Sequence, residues 1–232
     1  MALIVRIDVD RPYGKSPLGR HLLSRLSSDL WFPRVNTFGY LKELQVILEI
    51  LNKRNARSYL FFRRCTLPSE RIMQLIEDGQ HEIGVHLENS RSFETFFQEK
   101  QLIERHTGRK VFALSKHGSG KAKYGYRHHA PYEPERYIEW ARQSQMKVFF
   151  GNLEDPSIRP NNGVNDFIAF PSAFWLEPDW RDTSLFPVDW LLREARKSDV
   201  VLLLHPENVL EKPELTEEFA RLVTELPTKI LS

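Results

Sequence analysis

Cysteine is nearly absent from this 232-residue chain. Cys65 is the only one, which excludes an internal disulfide framework and fits a reducing compartment. Long hydrophobic runs are missing too: no apolar stretch approaches the roughly 20 residues that cross a bilayer as a helix. Neither sign of charge is in excess. With 33 basic against 31 acidic side chains the formal net charge is +2, so the chain carries no field that would draw it to nucleic acid. Repeats, low-complexity tracts and linker-like segments are absent. The first residues have no charged leader, no long apolar stretch and no small-residue cleavage site, from which a cytoplasmic location is expected.

The composition that remains, 41% hydrophobic and 12% aromatic, is that of a chain able to build a sizeable core. Short apolar runs at Leu3–Ile7, Arg57–Phe62, Glu82–His86, Lys110–Leu114, Lys147–Phe150, Asp166–Phe170 and Asp199–Leu204 read as strands. Between them, apolar residues repeat every three or four positions, as at Leu41, Leu44, Ile47, Leu48 and Leu51, and read as helices. Strands that are apolar throughout and alternate with helices imply a parallel sheet covered on both faces. Seven such units favour a closed or nearly closed α/β barrel formed by residues 1–232 as one domain. The irregular stretches, 11–37, 115–132 and 153–165, follow strand C-terminal ends, where such folds build their sites.

Four polar clusters stand just past four of the strands. In Asp8-Val9-Asp10, strand alternation puts both carboxylates on one face, about 7 Å apart at Cα. Such a pair can divide labour between metal binding and proton transfer. In His81-Glu82-Ile83-Gly84-Val85-His86, the last histidine projects from the strand's C-terminal end as a candidate metal ligand, while His81, at the opposite end, reads as structural. The Lys116-His117-Gly118-Ser119-Gly120-Lys121 segment is not a phosphate loop, because Ser115 stands where that pattern needs glycine and Ala122 where it needs Ser or Thr. Its glycines suit a tight turn or close backbone approach, and the following His128-His129 reads as a solvated loop pair. Finally, His205 ends a fully apolar strand, where it needs a buried partner; its chemistry suits a general acid.

This order of motifs resembles the polysaccharide deacetylase family, metal-dependent enzymes that remove acetyl groups from sugars on a distorted (β/α) barrel. The resemblance runs from about residue 3 to residue 208. The stretch 80–86 is similar to the family's GHEIGxH run, and Leu203-Leu204-His205 to its Leu-x-His motif. The resemblance implies Asp8 as catalytic base, Asp10 and His86 as metal ligands, His205 as catalytic acid, and one divalent ion, expected to be zinc. Ser90 stands where the family places a second metal histidine, and residues 115–118 lack its Arg-Pro pair. His117 is the preferred replacement ligand, with Glu88, Asn89 and a water as competitors. Residues 152–155 lie in the place of the family's fourth motif but match it poorly. Trp175, Trp180 and Asn152 are candidates to contact substrate, whereas Trp190 lies in an apolar helical pattern and reads as core. The implied substrate is an acetylated amino sugar, sugar nucleotide or lipid-linked glycan, with no nucleic-acid partner. A catalytically silent barrel that binds a glycan or a partner enzyme, and a hydrolase acting on a non-sugar amide, are the alternatives.

Overall fold

The computed structural model of the protein describes residues 1–14, 19, 22–26, 38–120, 124, 127–162 and 166–231. Lys121 and Ala122 of the rejected phosphate loop lie outside the described residues. The strands are β1 (Leu3–Val9), β2 (Ser58–Phe62), β3 (Glu82–Leu87), β4 (Ala113–Lys116), β5 (Val148–Leu153), β6 (Asn161–Asn162), β7 (Ile168–Ser172), β8 (Phe174–Trp175) and β9 (Val200–Leu204). The main helices are α1 (Lys42–Asn52), α2 (Glu70–Asp78), α3 (Phe93–Thr107), α4 (Pro134–Gln143), α5 (Val188–Ala195), α6 (Pro206–Val209) and α7 (Pro213–Glu225). All the strands join one sheet in the order β6-β7-β5-β4-β3-β2-β1-β9-β8. Eight of them run parallel, and only β6 pairs antiparallel, with β7.

The connectivity makes this sheet a nearly closed barrel. β7 and β8 lie near opposite ends of the pairing order, yet Ala173 alone separates them in the chain. Two Cα steps, from Ser172 to Phe174, span at most about 7 Å, so the two sides of the sheet must curve round to meet. The sequence pattern predicts seven strands. The structure adds the two-residue pieces β6 and β8, too short to produce a periodicity, and starts the fourth strand at Ala113 instead of Lys110.

Alternation along each strand sorts the core into two layers. On β1, Leu3, Val5, Ile7 and Val9 face the helices, while Ile4 faces inward with Tyr59, Phe61, Phe150, Phe170 and Leu203 from the other strands. The inner rings pack on one another, Tyr59 at 5.1 Å from Phe150 and Phe150 stacked at 5.4 Å on Phe170. Gly84 leaves room for this packing, since a Cβ there would sit 2.3 Å from the Phe61 ring. At the barrel's N-terminal end, Ile230 and Leu231 pack against the inner layer, and the Tyr59 hydroxyl accepts the Leu231 N–H at 2.8 Å. The opposite end carries the polar clusters. Among the described residues no helix is long and apolar enough to cross a membrane.

Candidate metal centre

In phase with Ile4, the next inward positions on β1 are Arg6 and Asp8, an ion pair in the barrel's interior. Arg6 donates from Nε to Asp8 Oδ1 at 2.9 Å and from Nη2 to Oδ2 at 2.6 Å. Its remaining N–H groups reach the Gly151 carbonyl at 2.7 Å and Asn152 Oδ1 at 2.8 Å. Burial would raise the Asp8 pKa, but the Arg6 guanidinium and the nearby His86 ring outweigh it and hold the carboxyl below its ordinary range. Asp8 is therefore a pre-oriented carboxylate, ionised at neutral pH.

Asp10 lies beyond the end of β1, His86 on β3 and His117 just after β4. Their ligand atoms form a small triangle: Asp10 Oδ1 is 3.0 Å from His86 Nε2 and 3.0 Å from His117 Nδ1, and the two nitrogens are 3.3 Å apart. Asp10 Oδ1 is buried without a hydrogen bond. His86 Nδ1 pairs with Ser115 Oγ at 2.7 Å, which leaves Nε2 to face the triangle. Ligands about 2.0–2.1 Å from a tetrahedral ion are themselves roughly 3.3 Å apart. A carboxylate oxygen and two imidazole nitrogens at these separations fit one divalent ion. Burial, with Arg63 nearby, pushes His117 down to about 3, so its ring is neutral, as a ligand must be. Burial would raise the Asp10 carboxyl, but His117 and His86 hold it well below its usual range.

The competing ligands are drawn elsewhere. Glu88 takes a 2.6 Å ion pair from Arg63, which also donates to the Asp10 carbonyl at 2.8 Å. The backbone N–H groups of Glu88 and Asn89 both donate to Glu99 on α3. Ser90 faces the Tyr137 hydroxyl at 3.3 Å and His129 at 3.4 Å. Among the described residues, the groups placed to share an ion are Asp10, His86 and His117.

His205 follows β9, on the other side of Asp10, with Nε2 3.6 Å from Asp10 Oδ2. Its partner is Glu177, whose Oε1 accepts from His205 Nδ1 and from the His205 backbone N–H, each at 2.9 Å. Burial would lower the imidazole pKa, but Glu177 overrides it and carries the value to about 10. Trp175 lies 5.8 Å and Trp180 5.0 Å from the His205 ring, centroid to centroid. Trp180 is 41% exposed, so it can offer a face to a ligand, whereas Trp175 is buried. Trp190 stacks on Phe174 in the core. Asn152 is buried with its amide committed to Arg6 and to the Lys116 carbonyl, which places it in the lining below the site.

The reading of His128 changes, and two further residues join the site. His128 is not a solvated loop residue: it is buried, with Nε2 2.8 Å from the His117 carbonyl and Nδ1 accepting the Tyr124 N–H. Arg6 and Glu177 join the site without having been singled out by sequence pattern. The signal for Arg6 is a charge inside an apolar strand, two residues from Asp8 and so on its face. Glu177 follows a two-residue strand and has no such signal. His81 is structural, as its position predicts, accepting the Ser58 N–H on Nδ1 and meeting Asn52 Oδ1 at 2.7 Å through Nε2.

No family model matches the chain. Among curated proteins, a 73-residue stretch is 38% identical to part of the A-type ATP synthase of Metallosphaera sedula, in its A chain; the match amounts to 30% of this chain and 12% of that protein. The chain therefore spans only a small part of that relative. Solved structures share the fold across nearly the whole chain. Puue allantoinase aligns over 96% of this chain and 82% of its own at 14% identity, with a TM-score of 0.56. A probable polysaccharide deacetylase from Pseudomonas aeruginosa PAO1 aligns over 96% and 83% at 13% identity, with a TM-score of 0.54. A GH57-type branching enzyme from the hyperthermophilic archaeon Pyrococcus horikoshii aligns over 96% and 66% at 11% identity, also with a TM-score of 0.54. The expected deacetylase-like barrel is thus the fold observed. Three differently named activities on one architecture leave the reaction to be argued from the site.

Proposed function

We propose that the chain is a metal-dependent hydrolase that removes the acetyl group from an N-acetylated amino sugar. The observation that carries this reading is the Asp10–His86–His117 triangle, flanked by the Arg6–Asp8 pair and the Glu177–His205 pair. Asp10, His86 and His117 would hold one divalent ion, zinc being the natural occupant of a compact nitrogen and oxygen set. When bound, such an ion lowers the pKa of water and polarises an acyl oxygen. Asp8, held ionised by Arg6, accepts the proton of the attacking water. His205, held protonated by Glu177, donates to the oxygen or nitrogen on which charge develops. The exposed face of Trp180 supports a sugar ring beside that donor. A cytoplasmic sugar nucleotide or lipid-linked precursor of a surface polysaccharide is the substrate class that fits this reading.

The test is direct. Metal content of the purified protein should approach one equivalent, and an N-acetylated sugar nucleotide should release acetate. Asp8→Asn should lower the rate by about 10²–10⁴-fold, the range for loss of a general base. One observation favours a second reading: both Asp8 oxygens are bonded to Arg6, an arrangement that also suits a barrel that binds a glycan without turning it over. Full metal loading and glycan binding with no acetate release from sugar or non-sugar amides would select it.

A further inference from the structure

His117 stands on the loop that follows β4, and that loop is held by two buried side chains that take no part in the proton transfers above. Its carbonyl is the shared acceptor of two donors, Lys116 Nζ at 2.5 Å and His128 Nε2 at 2.8 Å. Both donors are buried. Lys116, out of phase with the inward-facing Ser115, points to the helical side of β4, so it grips the carbonyl from outside the barrel while the His117 ring points in. His128 is fixed in turn: Nδ1 accepts the Tyr124 N–H at 3.2 Å, which puts the ring hydrogen on Nε2, and Nε2 lies 2.8 Å from the His117 carbonyl and 3.1 Å from Lys116 Nζ, so the three groups form one buried cluster. The His117 ring is walled by His86, Tyr124 and His128, with ring centroids 5.1, 5.5 and 5.4 Å away. Gly118 turns the chain at φ +72°, and a Cβ there would sit 2.8 Å from the Tyr124 ring and 3.2 Å from His128 Nε2.

We propose that Lys116 and His128 are positioning residues that clamp the His117 carbonyl and so aim its Nδ1 at the point shared by Asp10 and His86. This rests on the metal-centre reading and deepens it. Imidazole placement depends on the backbone torsions of its own residue. A carbonyl held by two donors, next to a left-handed glycine, leaves the ring little freedom to swing away. The glycine and lysine of this segment then belong to ligand geometry, with no phosphate involved.

The test titrates metal-free protein with Co²⁺, read by its visible absorption, beside urea unfolding of the same metal-free samples. His128→Ala should weaken Co²⁺ binding by about 10- to 100-fold, the usual effect of removing a group that orients a ligand. His128→Gln, which keeps an N–H donor, should recover most of it. Gly118→Ala, whose methyl runs into the Tyr124 ring and crowds His128 Nε2, should also weaken binding, and it decides the matter if His128→Ala does not fold. Wild-type protein that binds Co²⁺ while both alanine variants match its affinity overturns the proposal and leaves the metal-centre reading intact. Lower metal-free stability with unchanged affinity overturns it as well, because that is a purely structural role. Wild-type protein that binds no Co²⁺ overturns both.

Discussion

Asp8 and Arg6 are two buried charges that are tolerable only together. Removing one partner of a buried pair leaves the other uncompensated, at a cost of about 3–5 kcal/mol. Arg6→Met should therefore lower the unfolding free energy by about that amount in urea titrations, and adding Asp8→Asn should restore part of it, since residues in one network are not additive. His81 makes a separate prediction through pH. Burial, reinforced by Arg57, holds its imidazole at about 4 against the ordinary value of 6.5. The unfolded chain is thus protonated first as pH falls. The His81 contribution is fully present above pH 6.5, is lost progressively between pH 6.5 and about 4, and is constant below. The gap between the two values corresponds to roughly 3 kcal/mol. His81→Gln should flatten that part of the stability curve relative to wild type. Equal slopes for both proteins would refute the assignment.

At the scale of elements, β3 is the strand on which packing and chemistry are least separable. Gly84 and His86 share its inner face, and the Phe61 ring fills the space a side chain at position 84 would need. Arg6 lies over the same ring at 5.6 Å. Gly84→Ala should cost about 1–3 kcal/mol by overpacking, seen as a lower melting temperature, and should disturb Asp8 through Phe61 and Arg6. This strand is also the most legible in the sequence, because a run of Glu-Ile-Gly-Val-His combines a short apolar core with a distinctive motif. Asp8, Asp10, His86, His117 and His205 can be found because each lies at or just past an apolar strand. What holds them is harder to read. Glu177 follows β8, a strand of two residues, and His128 reaches the site from a loop whose contacts depend on the fold. The strand frame at residues 110–116 shifts because Val111 continues the apolar run into the strand, yet its N–H donates to Glu104 on α3 instead of to a neighbouring strand.

For the whole molecule, the two ends of the barrel differ in kind. The N-terminal end is stoppered by Ile230 and Leu231, while three parallel strands deliver ligands to the other. Because the ion would bind the folded barrel and not the unfolded chain, metal should raise stability with concentration, by about 2.7 kcal/mol at one hundred times its dissociation constant. Removal by a chelator should lower the melting temperature of wild-type protein and leave Asp10→Asn unmoved. A chelator-insensitive wild type would argue against a centre built from these three elements.

The one-residue link at Ala173 acts as the clasp of a ring. The chain entering it ends β7 on one side of the circumference, and the chain leaving it begins β8, which hangs on β9 through the pairs Phe174 with Leu202 and Trp175 with Leu203. Slack in the clasp is therefore slack in everything strung immediately after it, Trp175 and Glu177 included, while Asp10, His86 and His117 hang from β1, β3 and β4, none of which pairs with β8. A single glycine inserted after Ala173 should let β8 slip, detach Glu177 from His205 and cut turnover, yet leave Co²⁺ affinity close to wild type. The barrel's circumference, set by one peptide unit, thus becomes the tolerance to which its acid half is machined.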